Sequence, residues 1–246
     1  MDRVVFVAGS GAKQLLHKMA VNTHNLANAN TVGFQADMVN FRAQMVSGAG
    51  HDSRAYVLAE NGGVSGEKGT IQSTGRTLDV AVNGNGWLAV QSPDGSEGYT
   101  RAGNLRVNIN GQLVTSAGHP VLGASGPVVI PEYEKLEIGG DGTVSVRPIG
   151  QTPATLAEVS RLKIVSPSPE EMVKGEDGLL HMRDGSTAPP STEITLTSGA
   201  LEFSNVNGVE AMVDMIALAR QYEMTVKIMS TSKEMDEKAT QLMNLG

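Results

Sequence analysis

The side chains that most often carry chemistry are sparse in this sequence and fall into no catalytic spacing. Cysteine is absent, which excludes disulfides, thiolate metal sites and cysteine nucleophiles. The five histidines are scattered at positions 17, 24, 51, 119 and 181. His17 and His24 could share one face of a helix, but no third metal ligand accompanies them. Surface positions on a helix are therefore favoured over a metal site.

Glycine and serine motifs also depart from the patterns of known enzymes. Gly84-Asn85-Gly86 lacks the third glycine and the following helix of a dinucleotide-binding loop, so a hairpin turn is favoured. Neither Ser65 nor Ser125 has the second glycine of a G-x-S-x-G nucleophile elbow. We therefore expect no enzyme, no cofactor and no bound metal, unless scattered polar residues meet in the fold.

Charge and hydropathy exclude further classes of function. The net charge of −7 and the pI near 5.2 give no basic surface for nucleic acid. The apolar run from Val4 to Ala8 is too short for the core of a signal peptide, and no stretch reaches the roughly 18 apolar residues that span a bilayer. We expect a protein that is not inserted in a membrane and that is exported, if at all, without a cleaved leader.

Glycine and proline divide the chain into two helical ends and a turn-rich middle. All ten prolines lie between Pro93 and Pro190, and no glycine occurs between Ala12 and Val32 or between Val209 and Leu245. Because both residues break helices, the expected class is α+β. The predicted boundaries are an N-terminal helix in 1–30, a connector in 31–65, an all-β domain in 66–203 and a C-terminal helix in 204–246.

The N-terminal segment carries a continuous apolar seam. The seam alternates spacings of three and four residues, which predicts an amphipathic helix over about 3–28 that packs against another helix. Its members are Val5, Ala8, Ala12, Leu15, Met19, Asn22 and Leu26.

The C-terminal segment carries two such stripes. Asn207 followed by Glu210 is a helix-start signal, and a helix over 208–244 would be about 55 Å long. Such a helix exceeds the width of a compact domain of about 150 residues, so we expect intermolecular packing. The first stripe contains Met212, Met215, Ala219, Tyr222, Val226 and Met229, and the second contains Met224, Ile228, Met235, Leu242 and Leu245.

The middle of the chain shows short alternating strands separated by turns. Asn83-Gly84 lies between the alternating residues 78–82 and the apolar run 87–91, which is a strong hairpin signal. Strands without intervening helices indicate an all-β domain. Met38, Phe41 and Met45 in the connector have possible helical spacing. Further strands are predicted at 99–107, 112–115, 120–123, 128–130, 135–138, 143–147, 158–165, 179–182 and 193–203.

Four ordered blocks resemble segments of bacterial flagellar rod and hook proteins and together span nearly the whole chain. They are Asn25 to Phe34, Thr74 to Trp87, Tyr99 to Asn104 with the two following hairpins at 111–114 and 118–123, and Gly199 to Asn207. The chain length, the Met1-Asp2-Arg3 start and Trp87 resemble a proximal-rod subunit most, with a distal-rod subunit as the alternative.

The resemblance implies a structural subunit and an assembly site. It implies coiled-coil-like pairing of the terminal helices in an inner layer, stacked helically around a central export channel, with the β-domain outside. The expected partners are copies of this chain, other rod proteins and the flagellar type III export apparatus, at a rod that crosses the periplasm. In this reading, the seam of the first helix and the two stripes of the last helix carry the subunit contacts.

A turn after the first helix is also implied by the resemblance. It would join the inner helix to the connector through Asn25, Leu26, Asn28, Thr31, Gly33 and Phe34. The alternative function is a secreted β-domain that acts as an adhesin or a carbohydrate-active enzyme.

Overall fold

A computed structural model describes residues 2–45, 55–150 and 156–243 of the 246-residue chain. The chain is α+β and divides into two compact units. The helical unit comprises Met1–Ala27, Asp37–Gly62 and Asn207–Gly246. The β unit comprises Asn28–Ala36 and Gly63–Val206.

Two helices lie at the ends of the chain, within one or two residues of the predicted bounds. Helix α1 spans Asp2–Ala27 and helix α2 spans Gly208–Met243. The side chain of Asn207 begins α2 as predicted, because its Oδ1 accepts the N–H groups of Val209 at 3.1 Å and Glu210 at 3.4 Å. Neither helix, within the residues described, contains a window apolar enough to cross a membrane.

The predicted connector contains a β-hairpin. Strand β1, Asp37–Met45, pairs with strand β2, Ala55–Val64, in a two-stranded sheet. The helical spacing of Met38, Phe41 and Met45 is therefore misleading, and that prediction is wrong. All three side chains are exposed, with Phe41 and Met45 on one face of the strand and Met38 on the other.

The β unit is assembled from short strands, and its pairings with a recorded register are antiparallel. Its largest sheet has five strands in the order β14-β5-β6-β16-β15, and a second has the order β11-β12-β13. The strands are β3 Ile71–Ser73, β4 Val80–Asn83, β5 Trp87–Gln91, β6 Glu97–Thr100, β7 Leu105–Val107, β8 Leu113–Thr115, β9 Leu122–Gly123, β10 Gly126–Pro127, β11 Tyr133–Ile138, β12 Thr143–Pro148, β13 Ala157–Arg161, β14 Ile164–Val165, β15 Met172–Lys174, β16 Leu180–Met182, β17 Thr195–Ser198 and β18 Ala200–Glu202.

Several predicted strands are broken in the structure. The predicted segments 99–107, 158–165 and 193–203 each divide into two strands, and 128–130 lies just after β10 instead of in a strand. Gly103 explains the first break: its carbonyl accepts the N–H of Val80, and the backbones approach so closely that a Cβ there would lie 1.7 Å from the Val80 oxygen. Strands β3, β10 and β15 of the β unit were not predicted.

The core of the β unit lies on both faces of β5. Leu88 and Val90 belong to a large aliphatic cluster, while Trp87 and Ala89 belong to a smaller cluster that contains Tyr99. Because side chains alternate across a strand, β5 is buried on both sides, which explains its unbroken apolar sequence. Burial raises the pKa of the Tyr99 phenol to about 12, and its oxygen accepts the N–H of Ala188 at 2.7 Å.

Candidate assembly surface

The helical unit rests on an antiparallel contact between α1 and α2. Near the end of α1, Asn22 Nδ2 donates to the carbonyl oxygen of Ala211 at the start of α2, 2.7 Å away. Near the start of α1, Val5 lines the same groove as Val226 and Met229. Since α1 has 26 residues and α2 has 36, the end of α2 continues about ten residues, or about 15 Å, past the start of α1.

The predicted seam on α1 coincides with protected positions. Ala12 is buried, and the remaining members are half-buried: Val5, Ala8, Leu15, Met19, Asn22 and Leu26. Large apolar side chains elsewhere on this helix are exposed, including Phe6 and Leu16. The structure thus brings the predicted α1 residues onto one protected stripe.

On α2 the protected stripe differs from the predicted first stripe at two of its six positions, Met212 and Val226, which are exposed. Met215, Tyr222 and Met229 are half-buried, as is Ala219. Between them, however, the protected positions are Ala211, Leu218, Thr225 and Ser232. Leu218 is 5% exposed, whereas the predicted Met212 is 54% exposed. A search for large apolar residues misses this stripe because half of its members are small or polar.

Exposed apolar side chains are spread over about half of the circumference of α2, outside most of its protected stripe. Ile216 is 57% exposed and Ile228 is 53% exposed, although isolated globular units normally bury such residues. The whole set on the described part of α2 is Val209, Met212, Val213, Ile216, Met224, Val226, Ile228 and Met235. The side chain of Leu242 and all of Leu245 lie outside the described residues. This set, which we call the outer face of α2, is an unusual surface for a monomer.

Asn25 joins the end of α1 to the hairpin. Its Nδ2 donates to the carbonyl of Asp37 at 3.0 Å, and its Oδ1 accepts the N–H of the same residue at 2.9 Å. The side-chain amide therefore pairs with β1 as a neighbouring strand would. His24 adds a 2.8 Å contact between its Nδ1 and the Asp37 carboxylate, so this histidine lies beside a hairpin residue.

The rest of the family-motif turn belongs to the β unit. The N–H and the hydroxyl of Thr31 donate to the carbonyl and the side-chain oxygen of Asn28, each at 3.1 Å. The aromatic ring of Phe34 lies under the ammonium of Lys174, 4.3 Å from nitrogen to ring centre. These contacts give the segment a fixed conformation.

Gly33 fits this turn for two separate reasons. Its φ of +69° is a left-handed conformation that side chains disfavour. Its backbone also lies against residues 101 and 102, so a Cβ would come within 2.2 Å of the Ala102 nitrogen. Its N–H donates to the carbonyl of Glu202 at 2.8 Å, which fastens the turn to strand β18.

We expect Gly33→Ala to lower the free energy of unfolding of the β unit by about 3 kcal/mol, since strain and a backbone clash act together. The matched control is Gly75→Ala. Gly75 has nearly the same φ, +71°, but has open space where a Cβ would lie, so only the conformational cost of about 1 kcal/mol applies. Denaturant unfolding of both variants measures the difference, and equal losses would show that the close approach is unimportant.

A buried ion pair holds this turn to the strands around it. The Arg101 guanidinium nitrogen Nη1 lies 2.8 Å from both carboxylate oxygens of Glu202, and the two side chains are 4% and 1% exposed. Arg101 Nη2 also donates to the carbonyl of Gly84 at 2.6 Å, and the guanidinium lies 5.0 Å from the ring centre of Trp87. In the sequence, both residues fall within blocks that resemble the family, but no local pattern indicates that they pair.

The Glu202 carboxylate accepts hydrogen bonds from residues in distant parts of the chain. Its Oε1 accepts the Gln35 side-chain amide at 3.2 Å and the N–H of Gly69 at 3.0 Å, in addition to Arg101. Asn205 extends the network, since its Nδ2 donates to Gln35 Oε1 at 2.9 Å. One local feature of the sequence indicates this buried carboxylate: Glu202 lies between the apolar residues Leu201 and Phe203.

The structure shows no constellation suited to metal chemistry in the part of the chain it describes. No group of three histidine, aspartate or glutamate side chains converges there as metal ligands would. His17 and His24 are exposed on α1, and the imidazole of His24 contacts Asp37. The described side chains instead make apolar contacts between the two helices and buried hydrogen bonds within the β unit.

Two long helices with apolar stripes and a strand-rich unit fit the flagellar rod and hook proteins that the sequence resembles, and sequence comparison reaches the same class. Residues 7–35 match the family described as flagella basal body rod protein. Residues 81–146 match the flagellar hook protein FlgE/F/G D1 domain, and residues 197–242 match the flagellar basal body rod FlgEFG protein C-terminal family.

Full-length relatives define the family further. The chain is 41% identical to the flagellar basal-body rod protein FlgF of Salmonella typhimurium and to that of Escherichia coli, over the whole length of each chain. It is 33% identical to the flagellar basal-body rod protein FlgG of Bacillus subtilis, covering all of this chain and 99% of that one. The chain belongs to the flagellar basal-body rod protein family, of the FlgF type.

Proposed function

We propose that this chain is a structural subunit of the proximal rod of the bacterial flagellum. Copies polymerise helically around the export channel and form part of the drive shaft that transmits motor torque during motility. The observation that supports this role most is the outer face of α2, where eight large apolar side chains are exposed on the described part of the helix. Such a surface is unfavourable in water and stabilising in an assembly.

The protected stripes of α1 and α2 pair as a coiled coil, and the outer face of α2 packs on neighbouring subunits. Each buried valine, leucine, isoleucine or methionine contributes about 1.5–3 kcal/mol, which favours ordered helices once copies are stacked. The contacts are heterologous and do not close, so that addition of subunits generates a helical array. Among the predicted contact residues, Met212, Val226, Ile228 and Met235 are the exposed ones.

The partners are further copies of this chain, other rod proteins and the flagellar type III export apparatus. The absence of cysteine suits a chain that travels unfolded and then resides in an oxidising compartment. The place of action is the basal-body rod where it crosses the periplasm. We propose no catalytic activity.

The proximal rod is favoured over the distal rod by degree of similarity. Identity to two FlgF proteins is 41%, identity to three FlgG proteins is 33% to 35%, and identity to three further FlgF proteins is 29% to 32%. Both kinds of relative are matched along their full length, so the fold and the mode of assembly are shared by the two candidates. An adhesin or a carbohydrate-active enzyme is not favoured by any contact described above.

The test is the double substitution of Ile216→Asp and Ile228→Asp on the outer face of α2. Both side chains are more than half exposed, so we expect the monomer to keep its helical content. Incorporation into isolated basal bodies should fall strongly, because two charges would have to be buried between subunits. Immunoblots of purified basal bodies measure incorporation, and circular dichroism measures the monomer.

The matched control places the same two charges at exposed polar positions of α2, Gln221→Asp and Ser230→Asp. This variant should be incorporated at near the wild-type level. Wild-type incorporation of the Ile216 and Ile228 variant would refute the assignment of this face to subunit contacts, since the control excludes a general effect of charge.

A further inference from the structure

A second stripe of α1 is exposed to solvent. Each of its members follows a member of the protected stripe by one residue, so the two stripes lie about 100° apart around the helix. The second stripe therefore keeps the alternating spacing of three and four residues that is typical of packed helices. Its large apolar side chains are Phe6, which is 58% exposed, and Leu16, which is 47% exposed. The members of this free stripe of α1 are Phe6, Gly9, Lys13, Leu16, Ala20, Thr23 and Ala27, and all except the half-buried Gly9 are exposed.

The β1–β2 hairpin contacts α1 on another side. Asn25 binds the backbone of Asp37, and Ser10 lines a pocket together with Met45. Lys13 borders the same pocket but is exposed. In the described part of the helical unit, neither α2 nor the hairpin therefore covers the free stripe.

Gly9 gives the free stripe a place where another helix can approach closely. A glycine inside a helix weakens it, by about fivefold in the folding equilibrium relative to alanine. In the described residues, no atom beyond the local helix backbone lies within 4 Å of the position that a Cβ of Gly9 would take. Packing inside the chain therefore does not require this glycine, and the space beside it is open to a partner.

The outer face of α2 must meet a surface different from itself. A contact between two copies of the same face is isologous and closes a dimer, whereas a helical array needs a heterologous contact. In the described residues of the helical unit, the surfaces apart from α2 that expose large apolar side chains are those of α1 and of the β1–β2 hairpin. Apolar character alone does not distinguish these two surfaces.

Charge distinguishes α1 from the hairpin. Helix α2 contains six acidic and four basic residues, so it carries a net negative charge. Strands β1 and β2 contain two acidic residues and one basic residue, and they are also net negative. Helix α1 contains three lysine or arginine residues and one aspartate, and it is therefore net positive. Opposite charge favours association of α2 with α1 of a neighbour over association with the neighbour's hairpin.

We propose that the free stripe of α1 binds the outer face of α2 from a second copy of this chain. This inference rests on the proposed function and identifies the surface that the outer face of α2 meets. Association buries exposed apolar side chains of both helices, such as Phe6 and Leu16 on α1 and Ile216 on α2. Each copy offers α1 to one neighbour and α2 to the next, so the contact does not close.

Gly9→Ala separates this role from the stability of the helix. Alanine favours the helix, so we expect the helical signal of the monomer to be at least as strong as in the wild type. Incorporation into isolated basal bodies should fall about fivefold or more, because a Cβ would keep the two helices apart. Circular dichroism measures the helical signal, and immunoblots of basal bodies measure incorporation.

Gly11→Ala is the matched control. Gly11 also has open space where a Cβ would lie, but it lies on nearly the opposite side of the helix from Gly9. This variant should gain the same helical signal and be incorporated at the wild-type level. Wild-type incorporation of Gly9→Ala, or an equal loss for both variants, would overturn the inference.

Photo-crosslinking identifies the partner of the free stripe directly. Benzoylphenylalanine in place of Leu16 should yield, in isolated basal bodies, a product of twice the 25.8 kDa chain mass. Mass spectrometry should find position 16 linked to a peptide of α2. The same group in place of Lys18, which is exposed on another side of α1, should give no such link. A link from position 16 to the hairpin or to a different rod protein would contradict the proposed contact.

Presence of the wild-type chain in basal bodies separates this inference from the proposed function. If the wild-type chain is present but position 16 forms no link to α2, the proposed function stands and the contact between α1 and α2 of two copies is wrong. If the wild-type chain is absent from basal bodies, the proposed function is wrong, and the contact with it.

Discussion

Cells whose rod protein carries both Leu15→Asp and Met19→Asp are expected to be non-motile. Both side chains lie half-buried on the protected stripe of α1, one turn apart, next to the buried Ala12. Bringing two carboxylates into this stripe costs several kcal/mol for each charge, which exceeds what the apolar contacts there can offset. Swimming in soft agar by a complemented deletion strain is the measurement.

The same substitutions should leave the β unit folded. Its core clusters contain no residue of α1, and it holds the single tryptophan of the chain, Trp87, which is buried. Trp87 fluorescence therefore reports unfolding of the β unit alone. We expect its denaturant midpoint to be unchanged while the helical signal of the full chain falls.

His17→Asp with Ala20→Asp is the control for this experiment, since both positions are exposed on α1. That variant should retain the helical signal of the monomer. Motile cells carrying the Leu15 and Met19 changes would contradict the assignment of this stripe to helix pairing.

Breaking the ion pair between Arg101 and Glu202 is expected to have the largest effect on the stability of the β unit. Both side chains are almost fully buried, so removal of one leaves the other as an uncompensated charge. Arg101→Met or Glu202→Gln alone should lower the free energy of unfolding by about 3–5 kcal/mol. Trp87 fluorescence in denaturant measures the loss.

The double variant, Arg101→Met with Glu202→Met, should cost less than the sum of the two single changes, because no buried charge remains. Lys135→Met is the control for an exposed pair: Lys135 lies 2.5 Å from Glu137, with both side chains about half exposed, and should cost less than about 1 kcal/mol. If Arg101→Met costs no more than Lys135→Met, the buried network does not hold the turn.

The sequence predicted those elements whose signals are local. The 3/4 spacing and the lack of glycine and proline place α1 and α2 within one or two residues of their observed ends. The Asn83-Gly84 signal and the apolar run after it predict β5 at its observed bounds, 87–91. In each case a pattern within one segment reflects the surface against which that segment packs.

The elements that were missed depend on distant contacts. The β1–β2 hairpin exposes apolar side chains on both faces, so it has no alternating pattern, and the positions of Met38, Phe41 and Met45 imitate a helix. Glu202 meets Arg101 across a sequence separation of 101 residues, which no local pattern encodes. The true stripe on α2 includes Thr225 and Ser232, whose polarity hides it from a search for apolar periodicity.

The contacts of the turn after α1 depend on particular residue types. Asn25 pairs its amide with the backbone of Asp37, and Gly33 lies against the backbone of Ala102. Neither role tolerates another residue type easily, since one needs both a donor and an acceptor and the other needs the absence of a side chain. The roles of Asn25 and Gly33 in this turn therefore both rest on contacts with the backbone of another segment.

We expect the terminal helices of this chain to build the inner layer of the rod. A cryo-EM reconstruction of intact basal bodies containing this protein tests it most directly. We expect α1 and α2 to line the channel as a pair, with Ile216 and Ile228 of one copy buried against a neighbouring subunit and the β unit outside. A rod in which these two side chains face solvent, or in which the β unit lines the channel, would contradict the account.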